Sequence, residues 1–439
     1  MRTIRTRRNR FRRLLAPTAG LYRYVAAAVA GLLVFLLGAI VIFRTLLEPV
    51  YEDASGSWDA FLLRLGYGDT ADTVTHVLGL VLVVLGFYVL VWGIKRFDKR
   101  VAEAVDPNAR VGVMDAYARK QMLALGPRIV ALGGGTGLST LLRGLKQYSS
   151  NITAIVTVTD DGGSSGRLVT EMGMIPPGDI RNCLVALADA EKRMTDLFQH
   201  RFKQSSGVFS GHSIGNFLIA GFYEQTGDVD AALQMASEVL AIRGRVIPST
   251  RSNVRLRALM SDGTEICGET AIVESGGPIR RVFLDPENVE PHPEALAAIL
   301  AADLVVIGPG SVFTSVIPNL LVPGIAKAIE ESNAMKAYVC NVMTQRGESE
   351  AFTAAEHVVA LEANVDGRVC DYVLVNVMSP TAETAIRYHE HRQDAVEPDI
   401  ERLRQMGYKP VTGDLMSETD YVRHDPARLA NALMDLLNR

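Results

Sequence analysis

Cysteine is scarce and scattered in this chain. Cys183, Cys267, Cys340 and Cys370 are the four it has, and no two form a Cys-x-x-Cys pair. That spacing argues against a disulfide framework and against a cysteine-built zinc site, so the four read as buried thiols of a reducing compartment. An overall excess of charge is missing too. The net charge is −4, with 21% charged and 48% hydrophobic residues, which argues against disorder and against a broad nucleic-acid-binding surface.

What is present is two long apolar runs. From Tyr24 to Phe43 every residue is apolar, Gly or Tyr, and Val77 to Ile94 is nearly as long. A run of about 20 such residues is what a helix needs to cross about 30 Å of hydrocarbon. A cleaved signal peptide would have a shorter apolar stretch and no second one, and a core helix would keep a polar stripe. The flanks set the orientation expected. Eight arginines lie in the first 23 residues (Arg2, Arg5, Arg7, Arg8, Arg10, Arg12, Arg13, Arg23), and Lys95, Arg96, Lys99 and Arg100 follow the second run. The connector instead carries Glu48, Glu52, Asp53, Asp59, Asp69 and Asp72 against Arg44 and Arg64. Basic flanks stay cytoplasmic, so a two-helix hairpin in the cell membrane with both termini in the cytoplasm is expected, its arginines attracted to anionic lipid.

A length of 439 residues exceeds what one core usually organises. The expected division is a basic N-terminus over 1–23, a transmembrane hairpin over 24–94, a partly helical linker over 95–127 and an α/β domain over 128–439. That domain opens with the apolar run Arg128 to Leu132, then Gly133-Gly134-Gly135-Thr136-Gly137, then a helical pattern from Leu138 to Tyr148. In a strand, glycine loop and helix, backbone N–H groups approach an anion while the helix N-terminus adds partial positive charge, so a phosphate is the expected guest. The strict dinucleotide fingerprint fails at Leu138, and the phosphate-loop lysine is absent. A tight turn in a doubly wound sheet is the simpler alternative.

A second strand, Ile152 to Val158, runs into Asp160 and Asp161 at the sheet edge where ligands of open α/β sheets bind. Adjacent carboxylates near one site favour a hard cation such as Mg²⁺ or a set of hydroxyl donors; otherwise one caps a turn and the other faces solvent. Pro176-Pro177-Gly178-Asp179-Ile180-Arg181-Asn182 then opens an amphipathic helix of Leu184, Leu187, Ala188, Met194 and Leu197, with Asp179 placed as N-cap. Gly211-His212-Ser213-Ile214-Gly215-Asn216 looks like another helix start, with His212 either a base or a hydrogen-bonding wall and Ser213 an N-cap. The alternation between Arg255 and Asp285, with a turn at Asp262-Gly263, reads as an inserted β-hairpin. The strand Asp303 to Ile307 ends in Gly308-Pro309-Gly310-Ser311, a second glycine loop that predicts phosphate or sugar contacts from Ser311, Thr314 and Ser315. Strands Ala337 to Val342 and Tyr372 to Val377 extend the sheet, and a helix over Leu429 to Leu437 ends the chain.

Five blocks in order, Gly-Gly-Gly-Thr-Gly-Leu-Ser, Asp-Asp-Gly-Gly-Ser-Ser-Gly-Arg, Pro-Gly-Asp-Ile-Arg-Asn-Cys, Gly-His-Ser-Ile-Gly-Asn and Gly-Pro-Gly-Ser, resemble the gluconeogenesis factor (YvcK-like) proteins, relatives of 2-phospho-L-lactate transferase (CofD-like). The resemblance runs from about Arg128 to the C-terminus and implies a Rossmann-like, doubly wound, mostly parallel sheet that binds a nucleotide. In the gluconeogenesis factor branch it implies a UDP-sugar, a role in cell shape and wall regulation, and no established reaction. In the transferase branch it implies a Mg²⁺-dependent transfer of a 2-phospholactyl group from a guanosine diphosphate carrier to a deazaflavin. Carried over, Gly133 to Gly137 would approach the diphosphate, and Asp160 and Asp161 would serve a ribose, sugar or metal. Asp179, Asn182, Gly211, His212, Ser213, Asn216, Gly308, Gly310, Ser311 and Thr314 would line the rest. The runs Asp161 to Arg167 and Ile180 to Leu187 favour the first branch. Expected partners are the nucleotide-sugar, membrane lipid, cell-wall synthesis proteins and further copies of the chain as a homo-oligomer, with no nucleic acid.

Overall fold

The computed structural model describes residues 19–43, 71–105, 112–189, 192–203, 207–365, 367–418 and 421–438. Most of the arginine cluster and of the acidic connector lies outside the described residues. The chain divides into two compact units, Met1–Gln121 and Met122–Arg439.

The first unit holds helices α1 (Ala19–Ile42) and α2 (Ala71–Val105). Both are long and apolar enough to cross a membrane: the candidate spans are Leu21–Ile42 and Thr73–Ala102, and an 18-residue window in each reaches a mean hydropathy of 2.9 and 2.7 respectively. They pack antiparallel through glycine. A Cβ at Gly86 would lie 2.3 Å from the Phe35 nitrogen, and one at Gly31 2.4 Å from that of Leu90. Gly79, Gly86 and Gly93 recur every seven residues along the seam, which lets the two backbones approach closely. Tyr24 meets Trp92 edge-on with ring centroids 5.9 Å apart. A third helix, α3 (Val113–Ala124), follows; the Asp98 carboxylate accepts the Met114 N–H at 3.1 Å just inside its start.

The second unit is built on a seven-stranded parallel sheet of order β10-β9-β8-β7-β1-β2-β3. Its strands are β1 (Ile129–Gly133), β2 (Ile152–Val156), β3 (Arg245–Pro248), β7 (Leu304–Ile307), β8 (Met335–Val339), β9 (Tyr372–Asn376) and β10 (Lys409–Gly413). Strands β1, β2 and β7 are buried at every residue, as strands with both faces covered must be, and this is why they read as unbroken apolar runs. The order reverses between β1 and β7. Connections after β1 run toward β3 and those after β7 toward β10, so the loops leaving β1 and β7 diverge and open a crevice at their carboxyl ends.

Between β3 and β7 lies the insertion. It is a three-stranded antiparallel sheet, β5-β4-β6, made of β4 (Arg255–Met260), β5 (Glu265–Cys267) and β6 (Ile279–Asp285), with helix α10 (Glu269–Ser275) following β5. The expected turn at Asp262-Gly263 forms, with Gly263 at φ +90° and Thr264 N–H donated to the Asp262 carboxylate. Cys183, Cys340 and Cys370 are buried, but Cys267 is exposed, because β5 is the edge strand of this small sheet. The helices next to the cavity loops are α4 (Gly135–Leu145), α5 (Gly163–Met172), α6 (Pro177–Leu187) and, after the last strand, α11 (Pro426–Leu437), while α8 (Ile214–Thr226) packs against α6. Met194 and Leu197 belong not to α6 but to a separate helix, α7 (Lys192–Gln199), because α6 ends at Leu187. Helix α9 (Val229–Leu240) then leads into β3.

Candidate functional site

The first glycine loop is built for close approach. Gly134 is the N-cap of α4 and Gly135 sits at φ +60°, where a side chain would be strained. A Cβ at Gly137 would lie 2.4 Å from the Pro309 carbonyl oxygen of the second loop. The two loops therefore touch backbone to backbone across the switch point. Above them opens a cavity of about 510 Å³, within the range of small-molecule sites. Gly134, Gly135, Thr136, Gly137 and Thr140 line its floor, and Pro309, Gly310, Ser311 and Ser315 its other side.

At the β2 end of the cavity stand three carboxylates, Asp160, Asp179 and Glu269. Asp160 Oδ1 accepts the Gly162 N–H at 3.0 Å. Asp179 is not the N-cap expected of it. Pro176 caps α6 and Pro177 occupies the first turn, as proline prefers, which leaves Asp179 one turn in. Its carboxyl faces the glycine loop, where a Cβ on Gly134 would meet Oδ2 at 2.5 Å. Burial and the neighbouring Asp160 push it up to about 6, against the Gly135 N–H, which favours the charged form. Glu269 comes from the insertion, at the first position of α10. Burial, then Asp160 and Asp179, push its carboxyl up to about 9, and its Oε2 is buried without a partner.

Asp161 points elsewhere. Its Oδ1 accepts the Thr270 N–H at 3.0 Å and the Thr270 hydroxyl at 2.8 Å, satisfying the start of α10 in place of a cap that Gly268 cannot provide. Asp160 and Asp161 thus serve different elements, and among the described residues no three acids, histidines or cysteines converge as a metal-ligand set. No chemical step is derived through the magnesium that the transferase resemblance implies.

At the β8 end the lining changes to Asn341, Thr344, Gln345, Gln393, Tyr388 and Tyr421, with Arg423 and His424 from the strand β12 (Val422–His424). Arg423 lies over the Tyr421 ring, 5.0 Å from its centroid. His424 is buried, which pushes its imidazole down to about 4 and keeps it neutral.

The second glycine loop is only in part what its sequence promised. Ser311 and Ser315 line the cavity, and Asn341 clamps Gly310, accepting its N–H at 3.2 Å and donating to its carbonyl at 2.9 Å. The donors that follow turn inward. The Thr314 hydroxyl donates to Glu348 Oε1 at 3.1 Å. Burial pushes the Glu348 carboxyl up to about 7, against the Thr314 and Ser311 hydroxyls and the Phe313 and Thr314 N–H groups, which favour its charged form. A side chain of the protein occupies the place where a second anion was expected.

The His212 block stands beside the site, outside the cavity lining. His212 Nδ1 lies 3.0 Å from the Ser164 hydroxyl, and its ring stacks on Phe217 with centroids 4.7 Å apart. Ser164 accepts from Asn216, and Arg181 donates to Asn216, Ser213 and Asn182. Ser213 is the N-cap of α8, accepting the Asn216 N–H. Gly211, His212, Ser213, Asn216 and Asn182 thus belong to a polar network tying α5, α6 and α8 together. Gly308 and Thr314 lie in the second loop but, like this network, do not line the cavity. Sequence reasoning missed Glu269, Glu348 and the Asn341, Thr344, Gln345 and Gln393 wall, none of which stands in a recognisable motif.

A glycine-loop cavity at the switch point of a parallel sheet places the chain in the doubly wound, Rossmann-like class of α/β proteins. Residues 129–416 match the family model of 2-phospho-L-lactate transferase CofD. The gluconeogenesis factor of Bacillus subtilis is 47% identical over 71% of this chain and 98% of its own length. A Nostoc relative carrying the same name provisionally is 44% identical over 97% of this chain and 92% of its own, a match that takes in the apolar helices. A crystal structure of a Bacillus halodurans protein superposes with a TM-score of 0.69 at 44% identity, covering 70% of this chain and 99% of that one. The chain belongs to the CofD family, within its gluconeogenesis factor group.

Proposed function

We propose that the protein is a membrane-anchored regulator that binds a UDP-sugar, of the kind represented by UDP-N-acetylglucosamine, and reports precursor supply to cell-wall synthesis and carbon metabolism. The observation that carries the reading is the cavity over the Gly134–Gly137 loop, which has helix N-terminal amides for a diphosphate and room on either side for a nucleoside and a sugar. Membership in the gluconeogenesis factor group supports the regulatory role. The two apolar helices support anchoring in the cell membrane, and the basic outer flanks favour both termini in the cytoplasm. The reading needs no turnover and assigns no catalytic residue. Proteins of wall synthesis and a second copy of the chain are its natural partners.

Calorimetric titration of the full chain in detergent with UDP-N-acetylglucosamine, GDP and NADH tests it. Saturable binding of the UDP-sugar in preference to the other two is expected, and absence of UDP-sugar binding at millimolar ligand overturns it. The family model's own name favours a second reading, a magnesium-dependent transferase using a guanosine diphosphate carrier and a deazaflavin acceptor. That reading requires metal-dependent product formation abolished by Asp160→Asn. Turnover that survives this substitution, or no turnover at all, removes it.

A further inference from the structure

The charges that line the cavity are unusual for a site that receives a diphosphate. Among the described lining residues, Asp160, Asp179 and Glu269 are acidic and Arg423 alone is basic, and Arg423 stands at the far end with Tyr421. Asp179 is packed against the glycine loop itself, where a Cβ on Gly134 would meet it, and Asp160 against the start of α6, where a Cβ on Gly178 would lie 2.8 Å from its Oδ2. The phosphates can therefore be met by backbone amides, but whatever extends past them toward β2 enters an acidic chamber. Glu269 Oε2 is buried there without a partner, an acceptor or, when protonated, a donor suited to a hydroxyl.

Resting on the nucleotide-sugar reading above, we infer that Asp160 and Asp179, with Glu269 beside them as a neutral partner for hydroxyls, form a charge filter that admits nucleotide-linked sugars with neutral hydroxyl or amide substituents and rejects those bearing a carboxylate. A sugar hydroxyl can donate to these acids. A sugar carboxylate cannot, and it would face Asp160 and Asp179, groups of its own sign, with no basic side chain among the lining residues at that end. At the dielectric of a protein cavity, one such unit-charge contact is worth at least about tenfold in affinity.

The test uses two ligands that differ at one carbon. UDP-glucose and UDP-glucuronate share base, diphosphate and ring, and the second has a carboxylate where the first has a hydroxymethyl. With the full chain in detergent at pH 7.5, UDP-glucuronate is expected to bind at least about tenfold more weakly. Asp160→Asn, which keeps an acceptor for the Gly162 N–H, should narrow that gap by raising affinity for the acidic sugar. Equal affinity of the wild-type chain for both ligands overturns the filter while leaving the nucleotide-sugar reading intact. A gap that Asp160→Asn and Asp179→Asn both leave unchanged also overturns it, because charge is then not its cause. If neither nucleotide binds, the nucleotide-sugar reading falls and takes the filter with it.

Discussion

Replacing Gly137 by alanine tests the closest contact in the site. Gly137 lies within α4, where its φ is ordinary, so backbone conformation alone would favour alanine by about 1 kcal/mol. Space decides the sign. The new Cβ would lie 2.4 Å from the Pro309 carbonyl oxygen, 2.8 Å from its carbonyl carbon and 3.0 Å from Gly310 Cα, all backbone atoms that no rotamer change can move. Overpacking of this kind costs about 1–3 kcal/mol, and the upper part of that range applies where the obstacle is backbone. The net loss should be about 1–2 kcal/mol, or about 2–4 °C in Tm for each kcal/mol. The alternative is that the two loops part, misaligning the amides and weakening UDP-sugar binding by about tenfold or more. Gly221, inside α8, is the control: a Cβ there meets nothing within 4 Å, so Gly221→Ala should stabilise by about 0.5–1 kcal/mol. Thermal unfolding and calorimetric titration of both variants make the comparison. Gly137→Ala matching Gly221→Ala in stability, with nucleotide affinity unchanged, would refute the contact between the loops as the feature that shapes the cavity.

Three other perturbations separate the roles assigned to neighbouring residues. His212→Gln should lower stability by about 1–2 kcal/mol through the Ser164 contact while leaving nucleotide affinity unchanged; a collapse of binding with unchanged stability would place His212 in the site after all. Asp161→Ala removes both bonds to Thr270 and should cost about 1–2 kcal/mol, seen as faster hydrogen exchange confined to 265–275; protection there equal to wild type would contradict the link. Glu269 gives a pH signature whose sign is fixed. Its carboxyl is raised to about 9 in the folded chain from an ordinary 4.5, so the folded state holds a proton that the unfolded state releases first. Its contribution to stability is therefore full below about 4.5 and declines as pH rises toward 9, by up to about 1.4 kcal/mol per pH unit. Glu269→Gln should flatten that decline in unfolding measured from pH 5 to 9, and parallel curves for the two proteins would show that the proton is not held.

The parts of the fold that could be read from sequence are those where one physical cause dominates. Strands β1, β2 and β7 are covered on both faces, so their apolar runs are unbroken and their ends fall within a residue or two of the expected positions. Strand β3 was missed because it is four residues at the sheet edge, opening on Arg245 and closing on Pro248. The strands β10 and β12 and the short β11 (Met416–Glu418) are half exposed and mix polar with apolar residues, so no period stands out. In the site, glycine announced itself because a positive φ requires it at Gly135 and backbone approach at Gly137. Asp179 was legible as an acid at a helix start but not in its role, since Pro176 had already taken the cap. Glu269 and Glu348 carry no local signal: one follows an ordinary β-hairpin and the other an irregular loop, and tertiary folding alone brings them to the two glycine loops.

That last difference changes what the paired glycine loops mean. Two similar loops at one switch point suggest two anion sites, and a ligand with phosphates at both would be the natural guest. Glu348 removes one of them, because its carboxylate takes the Thr314 hydroxyl and favours the same Phe313 and Thr314 amides that a phosphate would use. Asp179 draws on the first loop in the same way but takes only the Gly135 N–H, leaving the rest of that turn to the cavity. The cavity is thus left with one open anion cradle, amides and hydroxyls toward β8, and carboxyls toward β2. A compact diphosphate with neutral polar groups on both sides suits all three walls, whereas an anionic group toward β2 would face carboxylates of its own sign.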